Sequence, residues 1–220
     1  MSDAHPAQLR VEPRAPTVAV DPGLHPLGLG AERDGVLYVP DVPGPRPLLL
    51  ALHGATMHGR QMARPLLAAA DDNGVALLVP DSRGPTWDVL LGGYGADIAF
   101  ISDALAVAFD RCAIDPEQLS IGGISDGASY ALSLGLSNGE LFRSVIALSP
   151  GFAAPPAIVG RPRVFLSHGV GDAILPIDRC GRPIAAGLKK SGYEIDYREF
   201  DGGHEMPPAI VSAALTWLVR

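Results

Sequence analysis

Only two cysteines occur in 220 residues, and neither belongs to a CxxC pair or a Cys/His cluster, so a disulfide framework and a structural zinc site both lack support. Cys112 and Cys180 each lie in helix-compatible sequence, where a buried, inert thiol is the ordinary outcome. No apolar run is long enough to span a bilayer. The first residues, Met-Ser-Asp-Ala-His-Pro, lack the basic stretch and apolar core of a signal peptide, so a soluble, cytoplasmic protein with no membrane partner is expected. No basic run of five or more appears, and 17 Lys+Arg stand against 24 Asp+Glu for a formal charge of −7. A nucleic-acid partner therefore has no electrostatic basis. A nucleotide-binding glycine fingerprint, an HExxH helix and metal-ligand spacing are also missing, so no cofactor and no metal are inferred. What remains is a protein that acts on a small molecule, in a chain of ordinary single-domain size.

What is present is an alternation of apolar strands and amphipathic helices. Residues 1–16, rich in Pro, Ala and charge, read as a tail or an edge-hugging arm, and 17–220 as a single domain. Thr17–Val20 and Val36–Val39 are short β-prone runs suited to an antiparallel hairpin, and Leu48–Leu52 is a strand buried on both faces. Helical spacing over Gln61–Asn73 ends at Gly74. The strand Val75–Val79 follows, and Asp97–Arg111 puts Ile98, Ile101, Leu105 and Phe109 on one helical face. Asp115-Pro116 breaks the chain before the strand Leu119–Gly122. Helix Ala128–Leu136, strands Ser144–Leu148 and Val164–Ser167, helix Arg179–Lys190, strand Glu194–Phe200 and helix Pro208–Val219 complete the pattern. Such an alternation predicts an α/β fold, a mostly parallel central sheet with helices on both faces.

Between the third-strand-like and last segments lies the chemistry. Ile121-Gly-Gly-Ile-Ser125-Asp-Gly127 places a serine between two glycines after a strand and before a helix, the G-x-S-x-G nucleophile elbow. The five-residue pattern alone also arises in an ordinary strand-to-helix turn. Its surroundings give it meaning, because a serine hydroxyl needs a base to take its proton and a carboxylate to hold that base. His204, in Asp201-Gly-Gly-His204 ahead of the last helix, suits the base. Asp172, in a glycine-rich loop after a buried strand, suits the acid, and Ser, Asp, His is the α/β-hydrolase chain order. Asp178 is the rival acid, but its place just ahead of a helix suits a cap, and Asp201 is too close in sequence to His204. His53 and His168 end strands and are expected to bond to backbone. His58 could line the pocket, while His5 and His25 look peripheral.

With these segments the chain resembles serine esterases of the α/β-hydrolase superfamily, nearest the small carboxylesterase/phospholipase and polyhydroxyalkanoate-depolymerase-like branches. The resemblance is carried by Leu-Leu-Leu-Ala-Leu-His-Gly at 48–54, Ala-Ile-Asp-Pro-Glu-Gln-Leu-Ser-Ile-Gly-Gly-Ile-Ser-Asp-Gly-Ala at 113–128, His-Gly-Val-Gly-Asp at 168–172 and Gly-Gly-His-Glu-Met-Pro at 202–207. It implies Ser125 as nucleophile, Asp172 as acid and His204 as base, with the backbone N–H groups of Ala55 and Asp126 as oxyanion donors. Asp126 is a departure, since relatives often carry Asn, Gln or a neutral residue after the serine. Dienelactone hydrolases, a nearby branch, use cysteine instead.

Only Pro150–Pro162 separates two strands where lipases of this superfamily insert a helical lid, so no lid domain is expected. The pocket should be an open groove walled by Thr56, Met57, Trp87, Tyr94, Phe152, Ile174, Leu175 and Met206, which lie in loops at strand C-terminal ends. Such a groove favours small, short-acyl or aryl esters, hydrolysed as an EC 3.1.1 carboxylesterase would. Acyl transfer or perhydrolysis by the same triad stays open at this point, as does a non-catalytic small-molecule-binding module on the same fold.

Overall fold

Leu48–Leu52 and Ala76–Val79 carry apolar side chains on both of their faces, so they can only be strands covered from both sides. In the computed structural model, which describes residues 5–30 and 32–220, they form the middle of a sheet. Its strands are β1 (Gly23–Pro26), β2 (Gly35–Val39), β3 (Arg46–Leu52), β4 (Ala76–Pro80), β5 (Ile114–Ile124), β6 (Ser144–Leu148), β7 (Arg163–Gly169) and β8 (Ile195–Phe200). They lie in the order β1-β2-β4-β3-β5-β6-β7-β8. The β1–β2 and β2–β4 pairings are antiparallel, and every pairing from β4 to β8 is parallel.

Successive side chains of a strand point to opposite faces, and the two cores divide accordingly. Leu48, Leu50, Leu52, Val145 and Ala147 meet α3 (Ala96–Arg111), α4 (Asp126–Ser137) and α5 (Gly181–Lys190) on one face. Leu49, Ala51, Ile146, Leu148 and Phe165 meet α1 (Gly59–Ala63), α2 (Leu67–Asn73) and α6 (Pro208–Leu218) on the other.

Three local readings need correction. Thr17–Val20 is not a strand. The Thr17 and Val18 amides donate to Asp110 O at 2.9 Å, so this segment satisfies carbonyl groups at the end of α3, and the hairpin uses Gly23–Pro26 instead. The helix expected over Gln61–Asn73 is divided into α1, a 3₁₀ turn at Arg64–Leu66 and α2, because Pro65 has no N–H to continue the first helix. Asp115-Pro116 does not precede β5 but sits inside it. The register jumps so that Arg46 faces Ile114 while Leu48 faces Leu119, and Asp115 closes the looped-out residues by accepting from the Glu117 amide at 3.0 Å and Gln118 Nε2 at 2.9 Å.

Residues 1–4 of the expected tail lie outside the described residues. From His5 onward the segment is an arm laid over the ends of α3 and α4: Ala7 and Leu9 are buried. Asn138 clips the arm in place, its Oδ1 accepting from the Leu9 amide at 2.9 Å and its Nδ2 donating to Ala7 O at 2.8 Å. No helix among the described residues is long and apolar enough to cross a membrane, and both cysteines are buried as free thiols.

Candidate active site

Ser125 occupies the single residue between β5 and α4, with φ 57° and ψ −122°. Such a conformation costs a side-chain-bearing residue about 1–3 kcal/mol, and backbone bonds hold it there. The Ser125 amide donates to Leu148 O at 2.9 Å. Its carbonyl accepts from the Ser129 amide at 3.0 Å and from Ser129 Oγ at 3.1 Å. Both flanking glycines are sterically required. A Cβ on Gly123 would lie 2.5 Å from Leu52 O, and one on Gly127 would lie 2.2 Å from the same oxygen. The elbow therefore crosses over the end of β3 at backbone contact distance, and its serine is half-buried at the C-terminal edge of the sheet.

β5, β6, β7 and β8 are adjacent and parallel, so the loops that follow them open on one edge. Asp172, just after β7, has a fully buried carboxylate. Its Oδ1 accepts from the amides of Ile174 at 2.9 Å and Leu175 at 2.8 Å, and its Oδ2 accepts from His204 Nδ1 at 2.7 Å. Burial is the largest single influence on this carboxyl and pushes its pKa up. The His204 bond, the Leu175 and Ile174 amides and the nearby imidazole outweigh it, so the net position is below the ordinary carboxylate range. The loop that carries His204 is pressed against the end of β7. Gly171 N donates to Gly202 O at 2.9 Å, and a Cβ on Gly169 would come within 2.2 Å of Gly203 O. Asp178 is neither partner nor cap: its exposed carboxylate is held by Arg182 at 2.6 Å, and Cys180 is the residue preceding α5.

On the other side of Ser125 runs the loop after β3. A Cβ on Gly54 would stand 3.6 Å from Ser125 Cβ, which places the Gly54–Ala55 peptide beside Ser125. The Ala55 and Asp126 amides have no acceptor among the described residues. As expected of a histidine at a strand end, His53 bonds backbone. Its Nε2 accepts from the Ser82 amide at 3.0 Å, which leaves the proton on Nδ1 to donate to Gly54 O at 2.7 Å. Burial, the largest influence, lowers the pKa of this imidazole.

Residues remote in sequence brace the same loop. Trp87 Nε1 donates to His53 O at 2.8 Å, the Thr56 amide donates to Pro85 O at 2.7 Å, and Arg33 donates to Met57 O at 2.8 Å and Ser82 O at 2.6 Å. Thr86 Oγ1 donates to Asp126 Oδ2 at 2.6 Å, so the carboxylate after Ser125 ties the elbow to the bracing segment that follows β4. Arg33, Ser82 and Thr86 carry no signal in the sequence, because nothing in a local pattern points to a partner 24 to 49 residues away.

The expected groove walls divide. Trp87 is fully buried and is not a wall; it stacks on Tyr130, with ring centroids 5.3 Å apart, beneath the loop it braces. Tyr94 extends that stack outward at 5.9 Å and its hydroxyl donates to Ala154 O at 2.9 Å. Met57, Phe152, Leu175 and Met206 are half-buried, and Thr56 and Ile174 are exposed, Ile174 at 69%. Three serines one turn apart on α4 fasten the segment after β6. Ser129 Oγ accepts from the Gly151 amide at 2.9 Å, Ser133 Oγ from the Ala154 amide at 3.0 Å, and Ser137 Oγ donates to Ala157 O at 2.9 Å. His58 stands exposed at the start of α1, its amide donating to Gln61 Oε1 at 3.1 Å. Among the described residues no three His, Cys, Asp or Glu side chains converge as metal ligands do.

No family model matches the chain. The protein named Putative esterase NocK, from Nocardia uniformis subsp. tsuyamanensis, is 30% identical over 150 residues, which is 63% of this chain and 44% of NocK. The chain thus spans less than half the length of that relative. Among solved structures, the fluorophosphonate-binding serine hydrolase FphF of Staphylococcus aureus superposes with a TM-score of 0.72 at 14% identity, over 91% of this chain and 100% of that one. Esterase PE8 gives 0.68 at 21%, over 86% and 98%, and the Bacillus cereus carboxylesterase 0.65 at 18%, over 86% and 94%. Strand order, elbow and likeness to these structures agree: the chain has the α/β-hydrolase fold.

Proposed function

We propose that the protein is a serine carboxylester hydrolase in which Ser125, His204 and Asp172 form the triad. The observation that carries this reading is the 2.7 Å bond from His204 Nδ1 to a buried Asp172 carboxylate, on the sheet edge where Ser125 is held at φ 57°. With Nδ1 donating to the acid, Nε2 of His204 is the nitrogen left to accept the Ser125 hydroxyl proton. Ser125 Oγ attacks the ester carbonyl, and the Ala55 and Asp126 amides receive the developing oxyanion. The carbonyl re-forms as the alcohol departs with the proton held by His204. Water then attacks the acyl-enzyme by the same steps in reverse, releasing the acid and restoring Ser125.

Small, short-acyl or aryl esters suit the site, since the segment from Gly151 to Ala157 is fastened to α4 and builds no lid or long apolar tunnel. Thr56, Met57, Tyr94, Phe152, Ile174, Leu175 and Met206 are the side chains proposed to meet the substrate. That NocK is named an esterase and FphF a fluorophosphonate-binding serine hydrolase supports the same reading. The test is a fluorophosphonate reaction followed by intact mass, beside a p-nitrophenyl acetate, butyrate and octanoate panel. One adduct and short-chain hydrolysis are expected, both lost in Ser125→Ala. An unlabelled wild type, or labelling that survives the substitution, overturns the assignment.

A further inference from the structure

Asp172 is approached by two histidines, and the triad uses one. The other, His168, is the penultimate residue of β7 and is completely buried. Its Nε2 lies 2.7 Å from Leu175 O and 3.3 Å from Asp172 Oδ2, the oxygen that accepts from His204. A carbonyl can only accept, so Nε2 carries the proton and donates it to Leu175 O, with the Asp172 oxygen close beside the same N–H. Leu175 is fixed from both ends: its carbonyl by His168 and its amide by Asp172 Oδ1 at 2.8 Å. Behind the ring, the first residue of α5 is so close that a Cβ on Gly181 would come 2.6 Å from His168 Nδ1. The imidazole therefore has no room to turn its N–H away.

We infer that His168 is a positioning residue for the Asp172–His204 pair: its Nε2–H fixes Leu175, whose amide holds the carboxylate, and the same N–H dipole, 3.3 Å from Oδ2, tempers the charge that Asp172 presents to His204. The inference rests on the triad proposed above. An apolar side chain would fill the same volume without the cost of burying a ring nitrogen, and Nδ1 has no partner among the described residues. Titratable groups packed near the pair include Asp201 and Glu205 in the His204 loop, with Glu205 accepting from the Gly203 amide at 3.2 Å, Cys180 ahead of α5 and, beside His168 on β8, Glu199, which is bound by Arg182 and Tyr197.

Two substitutions separate positioning from packing. His168→Gln keeps an N–H near the Nε2 position, and His168→Leu keeps volume and removes it. For His168→Leu, kcat on p-nitrophenyl acetate is expected to fall about tenfold with KM little changed, the worth of one buried hydrogen bond. The acid limb of its kcat/KM profile moves to higher pH, because a carboxylate that no longer faces the His168 N–H dipole holds protonated His204 more firmly. His168→Gln keeps the wild-type limb and stays within about threefold of wild-type kcat, half a decade on the same scale.

Wild-type behaviour of His168→Leu overturns the inference, as does an equal loss in both variants with an unmoved limb. Should His168→Leu fail to fold, His168→Gln decides: near-wild-type kcat supports the inference, and a loss of about tenfold or more at an unchanged Tm overturns it. Ser125→Ala is measured alongside. If it is inactive while the His168 variants are silent, the inference alone falls; if it retains activity, the triad falls with it.

Discussion

The two flanks of Ser125 are built on different principles. The flank toward β7 and β8 is made of side chains in a chain of charge-assisted bonds, from the Ile174 and Leu175 amides through Asp172 to His204. Its groups must change charge during a reaction, and each bond there is short and aimed. The flank toward β3 offers backbone N–H groups, and its side chains serve to hold a peptide plane still. His53, Trp87 and Arg33 are fixed there by bonds to main-chain carbonyls and Thr86 by its bond to Asp126, in keeping with a site that must stabilise charge without reorganising. In the proposed reaction one flank moves protons, and the other keeps its donors in place.

Breaking the proton-moving flank should have the largest effect. Asp172→Asn is expected to lower kcat on p-nitrophenyl acetate by roughly 10⁴-fold, the loss seen when a triad acid becomes an amide and the histidine tautomer is wrong. Asp178→Asn, which releases only the surface bond to Arg182, should stay near wild type. If the two exchange behaviour while folded, Asp178 is the acid.

Loosening the static flank should cost less and differ in kind. His53→Leu frees the Gly54–Ala55 peptide, and loss of one oxyanion donor lowers kcat by about 10²–10³-fold. KM should hardly move, and the acid limb of the pH profile should stay in place, since Asp172 and His204 are untouched. A shifted limb in this variant would mean that the flanks are coupled.

The third effect is on stability. Asp172 has a folded-state pKa below its unfolded one, so its contribution is complete above the ordinary aspartate value of ~3.9 and fades as pH falls through the lowered folded value. The Tm difference between wild type and Asp172→Asn should therefore narrow in acid. A constant gap across that range would place the lost stability in packing.

The smallest effect concerns the link between the elbow and the bracing loop. Thr86→Val removes the bond to Asp126 and should cost about 1 kcal/mol of stability, whereas Asp126→Asn retains an acceptor for Thr86. Its kcat/KM should stay within about tenfold of wild type, and rise if the carboxylate repels the developing oxyanion. A Thr86→Val/Asp126→Ala double variant should lose less stability than the two single substitutions added together, because each single substitution breaks the same bond. Full additivity would show that Thr86 and Asp126 act independently.

The same contrast explains what could be read from the sequence. Glycines around Ser125, a glycine loop with Asp172 and a histidine before the last helix are demanded by chemistry, and such demands leave local spacing behind. Apolar runs and the 3.6-residue period likewise place β3, β4, β6, β7 and α3 within a residue or two. Arg33, Ser82 and Thr86 act through partners 24 to 49 positions away, and no local pattern encodes that. Trp87 was misjudged because a large aromatic in a loop is equally compatible with a wall and with a brace; only its indole bond to His53 O decides between them. Asp115-Pro116 was read as a breaker, which it is locally, but the strand resumes beyond it because Ile114 and Leu119 both find partners on β3.

Ser129, Ser133 and Ser137 have a kinetic consequence. They fasten the chain after β6 along α4, and the Tyr94 hydroxyl also donates to Ala154 O, so the segment that would have to swing over Ser125 as a hinged cover is held down. An acyl group on Ser125 would face bulk solvent throughout its lifetime. Deacylation then becomes a competition that water wins by concentration: an alcohol acceptor, with no enclosed chamber to raise its local concentration, must rely on its own intrinsic reactivity. Adding methanol to a p-nitrophenyl acetate reaction should therefore divert acyl groups only in proportion to its share of the solvent.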